Sequence, residues 1–398
     1  MSYTAESQAA GRHILPDLVR AFAVLGIVLV NVAYFAWPSD AAYLDGGLNT
    51  GLDHAASFGV NSFFLMKSYT LFSFMFGVGL AYQIKSAERR GLPFGRRYSR
   101  RLLGLLIFGL AHVIFAFSGD VLVIYAFIGA VLYLFRNRPI KSLISWGIGL
   151  LVFQILIAFL AAGLFYVWEF FDPEEMSETA AEMQVEFTNI YQVFQEGSFL
   201  DVARARMMDW AIYFAVGFFL QGPGVLAFFL FGLAAVKSDI ISNPTAPIWA
   251  KARKTALPIG VIISVFGAYL TATSSGLMTA REMLGTAFIF LGSPFATFGY
   301  LGWLAKWAAG PQTAFKTFVA RSGTATLTAY LLQSIILSLI FTGYGLGYYG
   351  KIGAAGCIGI ALATGIFTLV FASLWRTKFE RGPFEYILRR FTYWGDNR

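Results

Sequence analysis

The sequence predicts an all-α fold: a polytopic membrane bundle of about ten transmembrane helices, with both termini on the cytoplasmic side. Three observations predict it. Of the 398 residues, 57% are hydrophobic and only 13% are charged, about half the charge of a soluble domain, too little to cover a water-facing surface. Several apolar runs reach the roughly 20 residues that a helix needs to cross hydrocarbon. Basic clusters alternate with those runs so that 25 of the 30 Lys and Arg residues fall on one side, the pattern of the positive-inside rule.

The first run, 14–37, ends at Pro38 and is too long, without a small-residue cleavage site, for a removed signal peptide. It reads as a signal anchor. Runs at 61–84, 102–117, 121–135 and 142–171 follow, then 224–236, 257–273, 283–304, 325–341 and 352–374. The short apolar stretch 210–220 is cut by Gly222-Pro223-Gly224 and reads as a re-entrant or interfacial piece. The whole chain, 1–398, is expected to form one integral membrane domain. It comprises an N-terminal half (14–171), an acidic extracytoplasmic loop (172–209), a C-terminal half (210–376) and a basic cytoplasmic tail (377–398).

From Glu169 to Asp209 ten carboxylates face only Arg204 and Arg206. A solvated cap with a short surface helix is expected there, a cation-attracting vestibule being the lesser reading. The net charge of +8 fits a bilayer partner with an anionic inner leaflet, worth about 1 kcal/mol per basic residue near the surface; no nucleic acid is needed. In the last span Gly353, Gly356 and Gly359, with Ala363, make a small-residue stripe expected to pack against a neighbouring helix.

Composition also excludes chemistries. A single cysteine, Cys357, permits no disulfide framework or thiolate cluster. Three histidines (His13, His54, His112) cannot build a His-rich metal centre, and no GxSxG, P-loop or HExxH motif is present. No metal and no tightly bound cofactor are expected.

Ionisable residues inside spans are costly and therefore functional candidates. His112 lies five residues before the end of its run, roughly 7–8 Å below the outer helix end. Imidazole is suited to proton exchange near neutral pH, although a His bonded to a backbone carbonyl is the plainer alternative. Asp120, in the turn Ser118-Gly119-Asp120, suits an N-cap and also a partner that orients His112. Lys67 is read either as snorkelling to the outer interface or as an anion or carbonyl binder in the cavity of His112. Asp17 and Arg20 are i,i+3 neighbours able to pair, with Asn31 three turns on along nearly the same face. His54 falls in the first outer loop, Arg281-Glu282 read as an interfacial pair, and Gln333 and Ser334 as interhelical hydrogen-bond partners.

Four stretches carry a resemblance. They are LPDLVRAFAVLGI at 15–27 followed by Asn31, Lys67 with LFSFMFGVG at 71–79, the segment 105–129 with His112, Gly119, Asp120, Tyr125 and Gly129, and the pair 323–333 and 381–390. Together they resemble the YeiB-like family of bacterial inner-membrane proteins, a domain family of unknown function, over nearly the whole chain. Where that pattern has a Gly after its first Arg, this chain has Ala21.

The first half is in turn similar to the membrane acyltransferase superfamily, which includes heparan-glucosaminide acetyltransferase and the acyltransferase-3 proteins. That resemblance implies a cytoplasmic acyl-CoA co-substrate, an envelope acceptor and His112 as general base, with His54 ranked second. On that reading Asp120 would orient His112, and Lys67 or Asn31 would polarise the acyl carbonyl; Asp17 with Arg20, by their place at the cytoplasmic end, suit either topogenic anchoring or contact with an anionic cytoplasmic ligand. A proton-coupled transporter and a non-catalytic accessory protein are the alternatives. Donor, acceptor and oligomeric state, a homodimer included, stay open at this stage.

Overall fold

The structure is a computed structural model; it describes residues 13–38, 47–89, 91, 94–276 and 279–394. Arg12, Arg90 and Arg398 of the expected basic clusters lie outside that set. Among the described residues every regular element is helical. In chain order these are α1 (Leu15–Ala36), α2 (Gly51–Phe63), α3 (Lys67–Arg89), α4 (Phe94–Phe115), α5 (Leu122–Leu134), α6 (Ile140–Phe171), α7 (Pro173–Glu196) and α8 (Phe199–Lys237). Next, α9 (Pro247–Lys251) passes through a π-turn (Ala252–Ala256) into α10 (Leu257–Ala272). Then come α11 (Ala280–Ala309), α12 (Ala314–Ser322), α13 (Thr326–Phe341), α14 (Ala354–Lys378) and α15 (Pro383–Thr392).

Among the described residues eight helices are long and apolar enough to cross a membrane, or nine if the bent pair α12–α13 counts as one span. With 13 residues, α5 is apolar but short, about 20 Å against a core of about 30 Å. The expected ten are reached only by counting both.

Local chemistry explains the helix ends. Thr50 and Asp53 form a capping box on α2, as Ser198 and Asp201 do on α8, each satisfying N–H groups that a helix start leaves open. Pro16, Pro173 and Pro383 sit in first turns, where a missing N–H costs nothing. The core lies where α1, α3 and α8 meet. Gly77 of α3 and Gly232 of α8 face each other's helix: a Cβ on either would strike the backbone of Phe229 or of Phe74, so the two glycines set the close approach.

Several expectations are corrected here. The break at Gly222-Pro223-Gly224 is absent: α8 runs unbroken from Phe199 to Lys237 with Pro223 inside it. Pro223 removes the helical hydrogen bond to Phe219 O, and the buried Gln154 of α6 braces the next carbonyl, donating Nε2 to Leu220 O (2.8 Å). The acidic loop is likewise structured, holding the 24-residue α7 and the first turns of α8 rather than a short surface helix. His54 stands exposed in the first turn of α2, not in a loop.

Of the small-residue stripe in the last span only Gly353 faces a helix of this chain, its Cα side lying against the Asp53 carboxylate of α2. Gly356 and Gly359 are exposed, and α14 buries Ala354, Cys357, Ala361, Thr364 and Thr368 instead. Gln333 does bond across helices, donating Nε2 to Thr368 Oγ1 (3.0 Å), but Ser334 bonds Tyr330 O within its own helix. Arg281 donates to Thr273 Oγ1 rather than pairing with Glu282.

Candidate functional site

Two features lie at different depths along α4. The first is built at its end. His112 sits in the last turn of α4, and its carbonyl accepts from Ala116 N and Phe117 N as the chain turns toward α5. That turn returns Asp120 to His112: the Nδ1–Oδ2 distance is 2.7 Å, with both side chains about as buried as the core. Asp120 Oδ1 also accepts Val123 N (2.8 Å) in the first turn of α5, so one carboxylate caps a helix and holds an imidazole. Gly109, one turn before His112, makes this possible. A Cβ there would lie 2.7 Å from Asp120 Oδ1 and 2.8 Å from Val123 N, both closer than side-chain carbons approach.

An ionised carboxylate only accepts hydrogen bonds, so Asp120 fixes the His112 proton on Nδ1 and leaves the Nε2 lone pair open. His112 Nε2 is buried and, among the described residues, has no hydrogen-bond partner. Tyr330 of α13 lies over the imidazole at 4.9 Å between ring centroids. Its hydroxyl, beside the Val121 backbone, also lacks a hydrogen bond of normal geometry. Unmet buried polar atoms are uncommon, each costing about 1–3 kcal/mol. His112 Nε2 and the Tyr330 hydroxyl are two such atoms, on rings that adjoin one another.

The second feature is a cavity of about 370 Å³ at the basic end of the bundle. Arg20 of α1, Arg101 of α4, and Arg381 and Arg389 at the C-terminal end line its mouth. Phe72, Phe76, Leu105, Leu122 and Tyr125 line its inner part. Tyr125 is anchored there through Ser73 Oγ (2.6 Å) and Tyr69 O (3.1 Å). One carboxylate lies in the wall, Glu385. It accepts Leu327 N (2.7 Å), Thr328 N (3.1 Å) and Thr328 Oγ1 (2.6 Å), capping α13 just after its 75° bend from α12. Burial pushes the Glu385 carboxyl above its ordinary value against the pull of those bonds. Burial and the neighbouring Arg389 likewise push the Arg381 guanidinium down.

Leu105, Leu122 and Leu388 of the cavity belong to one apolar cluster with Tyr330. Leu105 is two turns, about 10 Å, along α4 from His112. An apolar layer thus separates the cavity from the imidazole.

The other residues singled out from sequence are placed as follows. Asp17 and Arg20 pair at 3.0 Å at the basic end. Lys67 does not reach the surface, as snorkelling would require. It is 1% exposed at the start of α3 and donates to Asn61 O (3.4 Å). Asn31 is partly buried on α1. Among the described residues, neither Asn31 nor Lys67 hydrogen-bonds His112 or Asp120, and no group of three His, Cys, Asp or Glu is placed to hold a metal. Tyr330, Glu385, Arg101, Arg381 and Arg389 were not singled out as site residues. For all but Arg101, which stood only in the basic run 85–101, the signal lay inside the quoted motifs, as the Tyr of 323–333 and the Glu and Arg of 381–390.

Comparison with known proteins now adds the relatives. Residues 235–395 match the family described as "Protein of unknown function (DUF418)". Over 394 residues the chain is 30% identical to the uncharacterized protein YxaH of Bacillus subtilis (strain 168), spanning 95% of this chain and 93% of that one. The chain belongs to this DUF418 family. The uncharacterized protein YeiB of Escherichia coli (strain K12) is 25% identical over 397 residues, 96% of each chain. An uncharacterized 39.9 kDa protein from the amylase 3' region of Bacillus acidopullulyticus is 32% identical over 142 residues, 36% of this chain and 39% of its own. No solved structure matches. The YeiB-like resemblance thus stands at the level of family, and the DUF418 relatives carry no activity in their names.

Proposed function

We propose that this DUF418 protein is an acyltransferase of the bacterial inner membrane, with both termini cytoplasmic, which uses His112 as base. The observation that carries this reading is the buried His112–Asp120 pair at 2.7 Å with its Nε2 unpartnered. A hydroxyl or amine of the acceptor would meet Nε2, the acyl carbonyl of a cytoplasmic acyl-CoA lying beside it. Nε2 takes the acceptor proton as the acceptor O or N attacks the carbonyl carbon. Collapse breaks the C–S bond, and the imidazolium returns its proton to the thiolate leaving group. Asp120 would stabilise the imidazolium through Nδ1–H, and the Tyr330 hydroxyl, on the ring adjoining the imidazole, would be the candidate donor to the developing oxyanion. The unbroken α8 supports this reading over a transporter, which leaned on a broken helix at Pro223.

Purified protein in lipid nanodiscs, incubated with acyl-CoA, tests it. Thioester cleavage is expected, with His112→Ala lowering it by about 10²-fold or more while the folded state persists in a thermal melt. Absence of any acyl-CoA turnover, or an unchanged rate in His112→Ala, overturns it.

A further inference from the structure

The basic cavity has a chemistry of its own. Arg20 is held by Asp17 at 3.0 Å. Among the described residues, Arg101, Arg381 and Arg389 form no ion pair. The one wall carboxylate, Glu385, is engaged by the N-terminus of α13. The cavity therefore keeps a surplus of positive charge. These guanidinium groups come from positions 20, 101, 381 and 389, and folding brings them together against mutual repulsion. Guanidinium forks match phosphate oxygens in bidentate geometry, so a phosphate-bearing group is the partner that offsets this arrangement. Along α4 the lining passes from Arg101 to Leu105 one turn on, and Phe72, Phe76 and Leu122 add further apolar wall. A ligand that satisfies both parts carries phosphate at one end and hydrocarbon at the other.

We propose that this cavity binds a phosphate-headed amphiphile, its head on Arg101, Arg381 and Arg389 and its chain along Phe72, Phe76 and Leu122. Two sources share that chemistry: an acyl-CoA from the cytosol and an anionic phospholipid from the inner leaflet. The proposal deepens the acyl-transfer reading by naming the ligand's subsite and rests on that reading for its acyl-CoA source; binding itself requires no turnover.

Full-length protein in neutral detergent is titrated with palmitoyl-CoA, coenzyme A, dioleoyl phosphatidic acid in mixed micelles, and phosphatidylcholine as the control. Palmitoyl-CoA or phosphatidic acid is expected to bind, and whichever does identifies the source. Arg101→Gln and Arg389→Gln are each expected to weaken that binding at least tenfold, and Leu122→Trp to weaken it by obstructing the chain. His112→Ala is expected to bind as the wild type does, so loss of turnover with retained binding separates this proposal from the catalytic one. A thermal melt confirms that each variant is folded. Arg101→Lys, which keeps the charge but not the fork, is expected to recover part of the binding. No binding by either amphiphile overturns the proposal. So do folded arginine variants with unchanged affinity, or coenzyme A binding as tightly as palmitoyl-CoA.

Discussion

The two ends of α4 solve opposite electrostatic problems. At His112 the chain buries a pair, and each charge-bearing group is met by a partner eight residues away. Near Arg101 it gathers cations from three elements and leaves most without a counter-charge. The first arrangement is complete but for one nitrogen, and the second is incomplete by several charges. Locally satisfied polar groups stabilise a fold, whereas concentrated like charges destabilise it until something outside the chain arrives. The comparison therefore separates groups that hold the fold from groups poised for a ligand, and substitutions at the two ends are expected to differ in kind.

The largest effect on stability is expected from Asp120→Ala. It removes the cap on Val123 N, about 1 kcal/mol, and leaves the buried Nδ1–H of His112 unmet, about 1–3 kcal/mol more. Chemical unfolding in detergent should show a loss of about 2–4 kcal/mol, and an unchanged midpoint would show that the pair contributes nothing. Gly109→Ala comes next. Its new Cβ would stand 2.7 Å from Asp120 Oδ1, and overpacking of this kind costs about 1–3 kcal/mol. Nuclear magnetic resonance of the His112 Nδ1–H would register the displaced carboxylate as a weakened hydrogen bond. A wild-type Nδ1–H resonance in Gly109→Ala would count against the tight approach.

At the other end the sign reverses. Arg101→Gln or Arg389→Gln removes one of several mutually repelling cations, so the ligand-free protein is expected to melt at the same temperature or slightly higher. The gain is expected to be below about 1 kcal/mol, because partly exposed charges are screened. A marked drop in melting temperature would place these arginines with the structural groups, and the contrast between the two ends would fail.

The contrast also explains what could be read from sequence. His112 and Asp120 were legible because one tight hairpin joins them, and chain proximity there is spatial proximity. Asp17 and Arg20 were legible as i,i+3 neighbours on one helix. The cavity was not. Its arginines span 369 positions from Arg20 to Arg389, and in sequence Arg101, Arg381 and Arg389 look like further topogenic cations. Lys67 misled for a related reason. Its place in an apolar run suggested the interface or the site, whereas the break between α2 and α3 turns it onto the carbonyl of Asn61. The continuity of α8 was hidden as well, because its support at Pro223 comes from Gln154, 69 positions earlier.

Glu385 lies between the two regimes and yields the smallest and most discriminating expectation. It is a wall residue of the cavity, yet its bonds run to Leu327 N and Thr328 rather than to an arginine. Burial raises its carboxyl above the ordinary 4.5. A carboxyl raised in the fold favours folding fully below the unfolded value, and that contribution is lost as pH climbs through the folded one. Wild-type protein should therefore lose melting temperature, relative to Glu385→Gln, between about pH 4 and neutrality. The amide keeps an oxygen for both N–H groups, so the difference at acidic pH is expected to be small, under about 1 kcal/mol. Phosphate-headed ligand adds a second reading. If Glu385 caps α13 and nothing more, Glu385→Gln leaves the affinity for ligand almost unchanged. If it instead neutralises the arginines, the amide raises that affinity several-fold, and the cavity's surplus charge is smaller than its residues suggest.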